Sequence, residues 1–363
     1  MTKLLHAADL HLDSPFSSLS PEQAAARRQE QRDVLTALID AANLHGCDAL
    51  LLAGDLFDSD NAYADTLEAL MRAFSACRCP VFIAPGNHDC LRPGSAYLSA
   101  EWPENVHIFS TREISSVTLR SEGLRVWGAG FVGPHEAGLL EGFHAEQDGL
   151  VNVMVLHGDP QGADSPYNSL TKEQIADSGL DYLALGHIHQ ASGLQKAGET
   201  YYAYPGCAIG RGFDETGDKG AYLVTLDAGV CKLDFLPLGA RTYERLSVNL
   251  TGAESAQAAI EAVLPAHTKD SIFRILLTGE AEAPDLRELY EALSPRFFSL
   301  SLRDETAPLR ALWDGAEDDT LRGLYLRQLR DQYAKADGET RRMIALAARL
   351  GSAAMEGREL IGW

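Results

Sequence analysis

Apolar residues in this chain come in short runs that stop abruptly at polar clusters. Residues 3 to 8 (KLLHAA) and 49 to 53 (ALLLA) are such runs, and each ends directly at Asp, His or Gly. Runs this short with turn residues behind them read as buried strands feeding loops. Between them lies a helix. Ser20 is its N-cap, Pro21 its first residue and Gln23 a capping-box partner, and Gly46 supplies the stop. The order repeats, with a helical stretch near Tyr63 to Ala76 and then the strand Val81 to Ala84, which runs into Pro85-Gly86-Asn87-His88. Strand, helix, strand alternation predicts an α/β sandwich with parallel strands.

From Ser115 the period shortens to alternating strands about a Glu122-Gly123 turn. Further strands follow at VNVMVLHG, DYLALGH and TYYAYPG, and as a pair around Ala228-Gly229. Residues 1–240 are therefore expected to form one catalytic domain, a two-sheet sandwich flanked by helices. Residues 241–305 alternate strand-like and helix-like segments (YERLSVNL, SAQAAIEAVL, SIFRILLTG, PDLRELYEAL, RFFSLSLR), the pattern of a small separate α+β unit. The remainder, 306–363, reads as a helical tail beyond Pro308. Two amphipathic helices are expected at about 317–336 and 339–357. Leu321, Leu324, Tyr325 and Leu329 lie on one face, and Met343, Ile344, Leu346, Ala347 and Leu350 on the other, with a break at Asp337-Gly338.

Composition narrows the class. Hydrophobic residues are 45% of the 363 and charged residues 23%, which supports a buried core and excludes a disordered or fibrous chain. The six cysteines are scattered, and Cys77-x-Cys79 is not a zinc signature, so free thiols in a reducing compartment are expected. The N-terminus lacks the apolar core of a signal peptide, and no apolar stretch approaches the ~20 residues of a membrane helix. A cytoplasmic protein with no membrane contact follows as the expectation. The net charge of −21 argues against a protein that coats nucleic acid. It leaves a nuclease open, because metal-binding carboxylates add negative charge and a basic surface can be local.

Candidate chemistry sits where strands end. Asp9-x-His11, Gly54-Asp55, Gly86-Asn87-His88-Asp89, His157-Gly158 and Gly186-His187-x-His189 each follow an apolar strand. The ends of strands are where an open α/β sheet presents its site, so the five clusters can converge. Taken singly each has a plain reading: Asp9 as a helix cap, Asn87 as a turn residue, His157 as a structural imidazole, His187 and His189 as a surface pair. Their conjunction points to metal. Oxygen and imidazole donors without thiolate suit manganese, iron, zinc or nickel better than calcium or magnesium.

The series DLH, GD, GNHD, HG and GHIH, in this order over roughly residues 1 to 190, resembles the calcineurin-like metallophosphoesterase superfamily. AADLHLDSPF, the PGCAIGRGFDETGDKG loop and the segment ending in RILLTG are similar to its SbcD/YhaO branch of bacterial DNA-repair nucleases. The resemblance implies two divalent metal ions, manganese foremost. Asp9, His11, Asp55 and His189 would hold one; Asp55 as bridge, Asn87, His157 and His187 would hold the other. His88 is then the catalytic histidine and not a ligand. The resemblance also implies DNA as substrate, an SMC-like or AAA-type ATPase partner docked on the helical tail, a capping role for the small unit, and a homodimer as a further assembly.

The chemistry agrees with that assignment. Two metal ions need a shared carboxylate, and a phosphodiester's poor leaving group gains about 10²- to 10⁴-fold from a positioned acid. Asp89 can join His88 in catalysis by orienting its ring or holding it protonated, or it can simply cap a turn. Leu12-Asp13-Ser14-Pro15-Phe16 after D-x-H replaces the glycine of the better-known nucleases, so substrate details are expected to differ. His135 and His144 read as solvated, and Arg211 and Lys219 as phosphate contacts or as salt-bridge partners of Asp214, Glu215 or Asp218. Two other readings stand beside the nuclease: a phosphodiesterase or phosphatase for small molecules or phosphoproteins, and a scaffold subunit with an inactive site.

Overall fold

The computed structural model describes residues 1–59, 62–160, 165–307 and 312–357. The chain divides into two compact units, Met1–Thr242 and Tyr243–Trp363. The first runs β1 (Thr2–Ala7), α1 (Pro21–His45), β2 (Ala49–Ala53), α2 (Ala64–Ala76), β3 (Val81–Ala84), α3 (Ala96–Ser99), β4 (Val106–Ile108), β5 (Ser115–Leu119), β6 (Leu124–Gly128), β7 (Val151–His157), α4 (Lys172–Asp177), β8 (Tyr182–Gly186), β9 (Gln195–Ala197), β10 (Thr200–Ala203), β11 (Gly220–Asp227) and β12 (Val230–Pro237). Among the described residues these strands make two six-stranded sheets, ordered β12-β11-β1-β2-β3-β4 and β5-β6-β7-β8-β10-β9. Both sheets are mixed. β1 to β4 run parallel, as do β6, β7, β8 and β10, while β11, β12, β5 and β9 join antiparallel.

The apolar runs read as continuous because both faces of these strands are buried. Leu5, Ala7, Leu50 and Leu52 pack against Leu38, Leu70 and Phe74 of α1 and α2. Their neighbours Leu4, Ala8, Leu51 and Ala53 point the other way, onto Val126, Val155 and Tyr182 of the second sheet. On that sheet's outer face Met154, Leu156, Leu183 and Leu185 meet Ile175 of α4. The result is helix, sheet, sheet, helix. Helix α1 keeps its expected signals: Ser20 and Gln23 cap each other reciprocally, and Gly46 closes the helix at φ 60. Inside the sandwich, His6 links the sheets. Its Nδ1 lies 2.9 Å from the Tyr182 hydroxyl and its Nε2 3.2 Å from the Leu185 carbonyl.

The second unit runs β13 (Tyr243–Asn249), α5 (Ala256–Val263), β14 (Ile272–Thr278), α6 (Leu286–Leu293), β15 (Ser299–Asp304), α7 (Leu321–Tyr333) and α8 (Gly338–Met355). Its three strands are parallel, and α5 and α6 cover one face through Ile260, Leu289 and Leu293 against Val248, Ile275 and Leu277. Helices α7 and α8 pack on each other through Leu326 and Ala348, and the Tyr325 hydroxyl donates to the Ala347 carbonyl at 2.7 Å. This corrects the expected apolar faces. The buried stripe of α7 passes through Gly323 and Leu326 and leaves Leu321 and Leu324 in solvent, and that of α8 passes through Ala348 and Ser352 and leaves Met343 exposed. The parts of the expected tail at 308–311 and 358–363 lie outside the described residues.

Candidate metal centre

Parallel strands carry the motif residues to one edge. Asp9 and His11 follow β1, Asp55 follows β2, Asn87 and His88 follow β3, His157 ends β7, and His187 and His189 follow β8. The turns are sharp. Asp9, His11, Asp55 and His187 all have positive φ (50°, 43°, 47° and 103°), a conformation that costs a non-glycine residue about 1–3 kcal/mol. Gly86 is required by close approach, since a side chain there would collide with the Asp55 carboxylate and backbone nitrogen. Fixed backbone hydrogen bonds hold the strain: His11 N donates to the Asp55 carbonyl at 2.9 Å, and His187 N donates to the Asp9 carboxylate at 3.1 Å.

The side chains converge. His11 Nε2 lies 3.2 Å from His189 Nε2, and His157 Nε2 lies 2.9 Å from Asn87 Oδ1. Asp55 Oδ2 stands between the two groups, 3.8 Å from His11 Nε2 and 3.5 Å from His157 Nε2. Among the described residues, Asp9-His11-His189 and Asp9-Asp55-His157 each form a cluster of metal-ligand spacing. The half-buried His187 ring stands edge-on to His157 at 5.1 Å. His88 is exposed. Its ring stacks edge-on to His11 at 4.9 Å, its Nδ1 lies 3.3 Å from the Asp58 carbonyl, and with Asp58 it also comes within ligand reach of His11.

The electrostatics describe a donor set that calls for a counter-charge. Burial pushes the Asp9 carboxyl well above the usual range, and the Asp55 carboxylate adds to the rise. Burial acts on Asp55 too, but the imidazoles of His157, His11 and His88 outweigh it and hold that group below its ordinary value. Desolvation lowers His11 and His187 to about 4 and depresses His157. These three imidazoles are thus neutral. His11 Nδ1 faces Asp58 Oδ1 at 3.2 Å and His189 Nδ1 faces Glu215 Oε1 at 2.6 Å. With each Nδ1 facing a carboxylate, the two Nε2 atoms face one another at 3.2 Å. Buried carboxylates are costly without a counter-charge, and divalent metal ions fit this donor set.

The calcineurin-like phosphoesterase model matches residues 2–191, the stretch that carries every ligand candidate above. The chain belongs to the calcineurin-like phosphoesterase family. As a calcineurin-like phosphoesterase it is a metal-dependent hydrolase of phosphate esters. Similarity to relatives extends beyond that stretch. The uncharacterized metallophosphoesterase YhaO of Bacillus subtilis (strain 168) is 35% identical over 334 residues, 83% of this chain and 81% of its own length. DNA double-strand break repair protein Mre11 of Saccharolobus solfataricus is 26% identical over 326 residues, 81% and 79% of the two chains. A solved dimetal phosphatase from Danio rerio aligns over 66% of this chain and 96% of its own, with a TM-score of 0.44 and 14% identity. No helix among the described residues is long and apolar enough to cross a membrane.

Asp89 has a different role in this phosphoesterase from the ring-orienting one. Its Oδ2 accepts from Phe57 N at 3.0 Å and from the Tyr97 hydroxyl, and its Oδ1 accepts from Gly86 N at 2.8 Å. It ties the loops after β2 and β3 together and does not reach the His88 ring. Burial and the Asp55 carboxylate push it up to about 7. Arg211 proves to be a salt-bridge residue, on Asp58 at 2.7 Å and Glu215 at 3.1 Å, while Lys219 reaches the His189 carbonyl at 3.4 Å. His135 and His144 are exposed, the first stacked on Tyr167 and the second bonded to the Asp177 carbonyl.

Sequence reasoning missed Asp58 as a carboxylate behind His11, and it considered Glu215 only as a salt-bridge partner for Arg211 or Lys219. Asp58 left a signal, three residues after Asp55. Glu215 left none, because it stands 26 positions after His189, with β9, β10 and a loop between them. Asn168 was also overlooked: it has φ 50, and its Nδ2 donates to the His157 carbonyl at 2.8 Å.

Proposed function

We propose that this phosphoesterase hydrolyses phosphodiester bonds in DNA, as the nuclease subunit of a repair complex with an SMC-like or AAA-type ATPase. The observation that carries the metal-dependent part is the convergence of buried Asp9 and Asp55 with the imidazoles of His11, His157 and His189. Asp9, His11, Asp55 and His189 would hold one ion, and Asp55, Asn87, His157 and His187 the other. Divalent ions supply electrophilic charge to phosphoryl oxygens and acidify water, and the oxygen and nitrogen donors favour manganese. His88 is assigned the proton. Its Nδ1 lies 3.3 Å from the Asp58 carbonyl, which orients the ring and leaves Nε2 to meet the departing oxygen.

DNA as substrate is supported by similarity to Mre11 across both units, and by the second unit itself, which a phosphatase for small molecules has less need of. Exposed Leu321, Leu324 and Met343 on α7 and α8 are apolar anchors of the kind an ATPase groove would accept. Cytoplasmic location and pairing with a second copy belong to the same reading. The test is purified protein with Mn²⁺, Mg²⁺ or Zn²⁺ on labelled linear duplex, single-stranded DNA and bis-p-nitrophenyl phosphate. Manganese-dependent cutting of DNA and of the small diester is expected. Turnover of the diester with DNA left intact, ATPase present, would move the assignment to a small-molecule phosphodiesterase.

A further inference from the structure

The three-stranded sheet of the second unit has one face under α5 and α6 and one face free of them. Parallel register sets the rows of the free face. Tyr243, Ile272 and Ser299 form the first; Arg245, Arg274 and Ser301 the second; Ser247, Leu276 and Arg303 the third; Asn249 and Thr278 close it. None of these positions is Asp or Glu. Arg245 and Arg274 are direct cross-strand partners roughly 5 Å apart, and Arg303 sits one row on. Arg245, Ser247 and Arg303 are exposed, and Arg274 is half-buried between them. Arg303 and Arg245 both add to the burial that lowers the Arg274 guanidinium.

Like charges in register on neighbouring strands destabilise a sheet, so folding alone does not favour this arrangement. The chain as a whole carries a net charge of −21, which makes a cationic face the exception on it. We propose that this face binds the sugar-phosphate backbone of nucleic acid, with Arg245 and Arg303 contacting phosphates and the serines between them supplying hydrogen bonds. The ligand is a polyanion because guanidinium forks match phosphate geometry. Bases are not read. The face exposes no aromatic side chain to stack on them, so recognition is of the backbone and independent of sequence. The proposal rests on the reading of DNA as substrate and adds where, and by what chemistry, a strand is held.

The test is binding of a 30-base-pair fluorescent duplex to the full chain, measured as a function of salt. Arg245→Gln/Arg303→Gln should weaken binding about 10-fold near physiological salt. It should also flatten the slope of log K against log salt by about 1.8, two contacts at about 0.9 each. The same variant should melt no lower than the parent, and Arg245→Lys/Arg303→Lys should keep most of the affinity. If the double glutamine variant fails to fold, Arg303→Gln alone on the edge strand β15 carries the test, with a slope change of about 0.9. Unchanged affinity and slope would overturn the proposal, as would an equal loss in a charge-matched control, Arg72→Gln/Arg120→Gln. Poly-glutamate bound as tightly as DNA through Arg245 and Arg303 would also overturn it, because the partner would then be an acidic protein. Cleavage is read separately: arginine-dependent binding without metal-dependent cutting supports this face and sinks the nuclease assignment.

Discussion

The sandwich buries His6 and His157 equally, both at 0% exposure, and treats them differently. In the inter-sheet core each nitrogen of His6 has a neutral protein partner, Tyr182 on one side and the Leu185 carbonyl on the other. At the strand ends His157 gives Nδ1 to the Ala53 carbonyl, while its Nε2 is turned toward Asn87 Oδ1 and Asp55 Oδ2. The first imidazole is satisfied by the fold. The second shares its space with two buried carboxylates and other uncharged imidazoles, an arrangement complete only with a cation. Burial alone therefore says little about function. What separates a structural histidine from a ligand is whether protein groups alone meet its hydrogen-bonding and charge requirements.

The comparison breaks most decisively at Asp55. Asp55→Ala should abolish metal-dependent hydrolysis and lower the bound metal measured by atomic absorption, because one oxygen reaches the imidazoles of both groups. Full metal content with normal turnover would mean that Asp55 is as structural as His6. His88→Ala should cut DNA turnover by at least about 10²-fold while both ions remain bound. Metal loss in that variant would make His88 a ligand beside Asp58 and His11.

Smaller effects sharpen the contrast. Glu215→Gln leaves a hydrogen-bond partner on His189 but removes its charge, and should weaken metal affinity about 10- to 100-fold without unfolding the protein. Isothermal titration with Mn²⁺ reads this directly, and an unchanged affinity would put Glu215 outside the site. In the core the probe is pH. Burial depresses His6 to about 3, below its ordinary 6.5, so the unfolded chain binds the extra proton. The stability due to neutral His6 is then complete above pH 6.5 and is lost as pH falls toward 3, at up to about 1.4 kcal/mol per unit. Urea unfolding of His6→Gln between pH 6.5 and 4.5 should show a flatter pH dependence than the parent, and parallel curves would argue against a neutral, buried His6.

Much of this was legible along the chain because it is local. A buried strand is a short apolar run, a helix start is Ser20 with Gln23, a stop is Gly46, and a ligand cluster is Asp, Asn or His next to glycine after a strand. Each depends on neighbours within a few residues. The convergence of the five clusters followed from the rule that parallel strands present their ends at one edge.

What tertiary structure decided lies between residues far apart in sequence. Asp89 looks like a partner for His88 because it is adjacent, yet the backbone turns its carboxylate away, to Phe57, Gly86 and Tyr97. Glu215 reaches His189 only through the path of a loop, and Leu321 and Leu324 are exposed only because α8 covers a different stripe of α7. Arg245, Arg274 and Arg303 are unremarkable in three separate segments and become one face through strand register. Periodicity shows which residues share a side of one element. It carries no information about which element comes to lie beside it, because that depends on pairings whose free energy is shared across the whole fold.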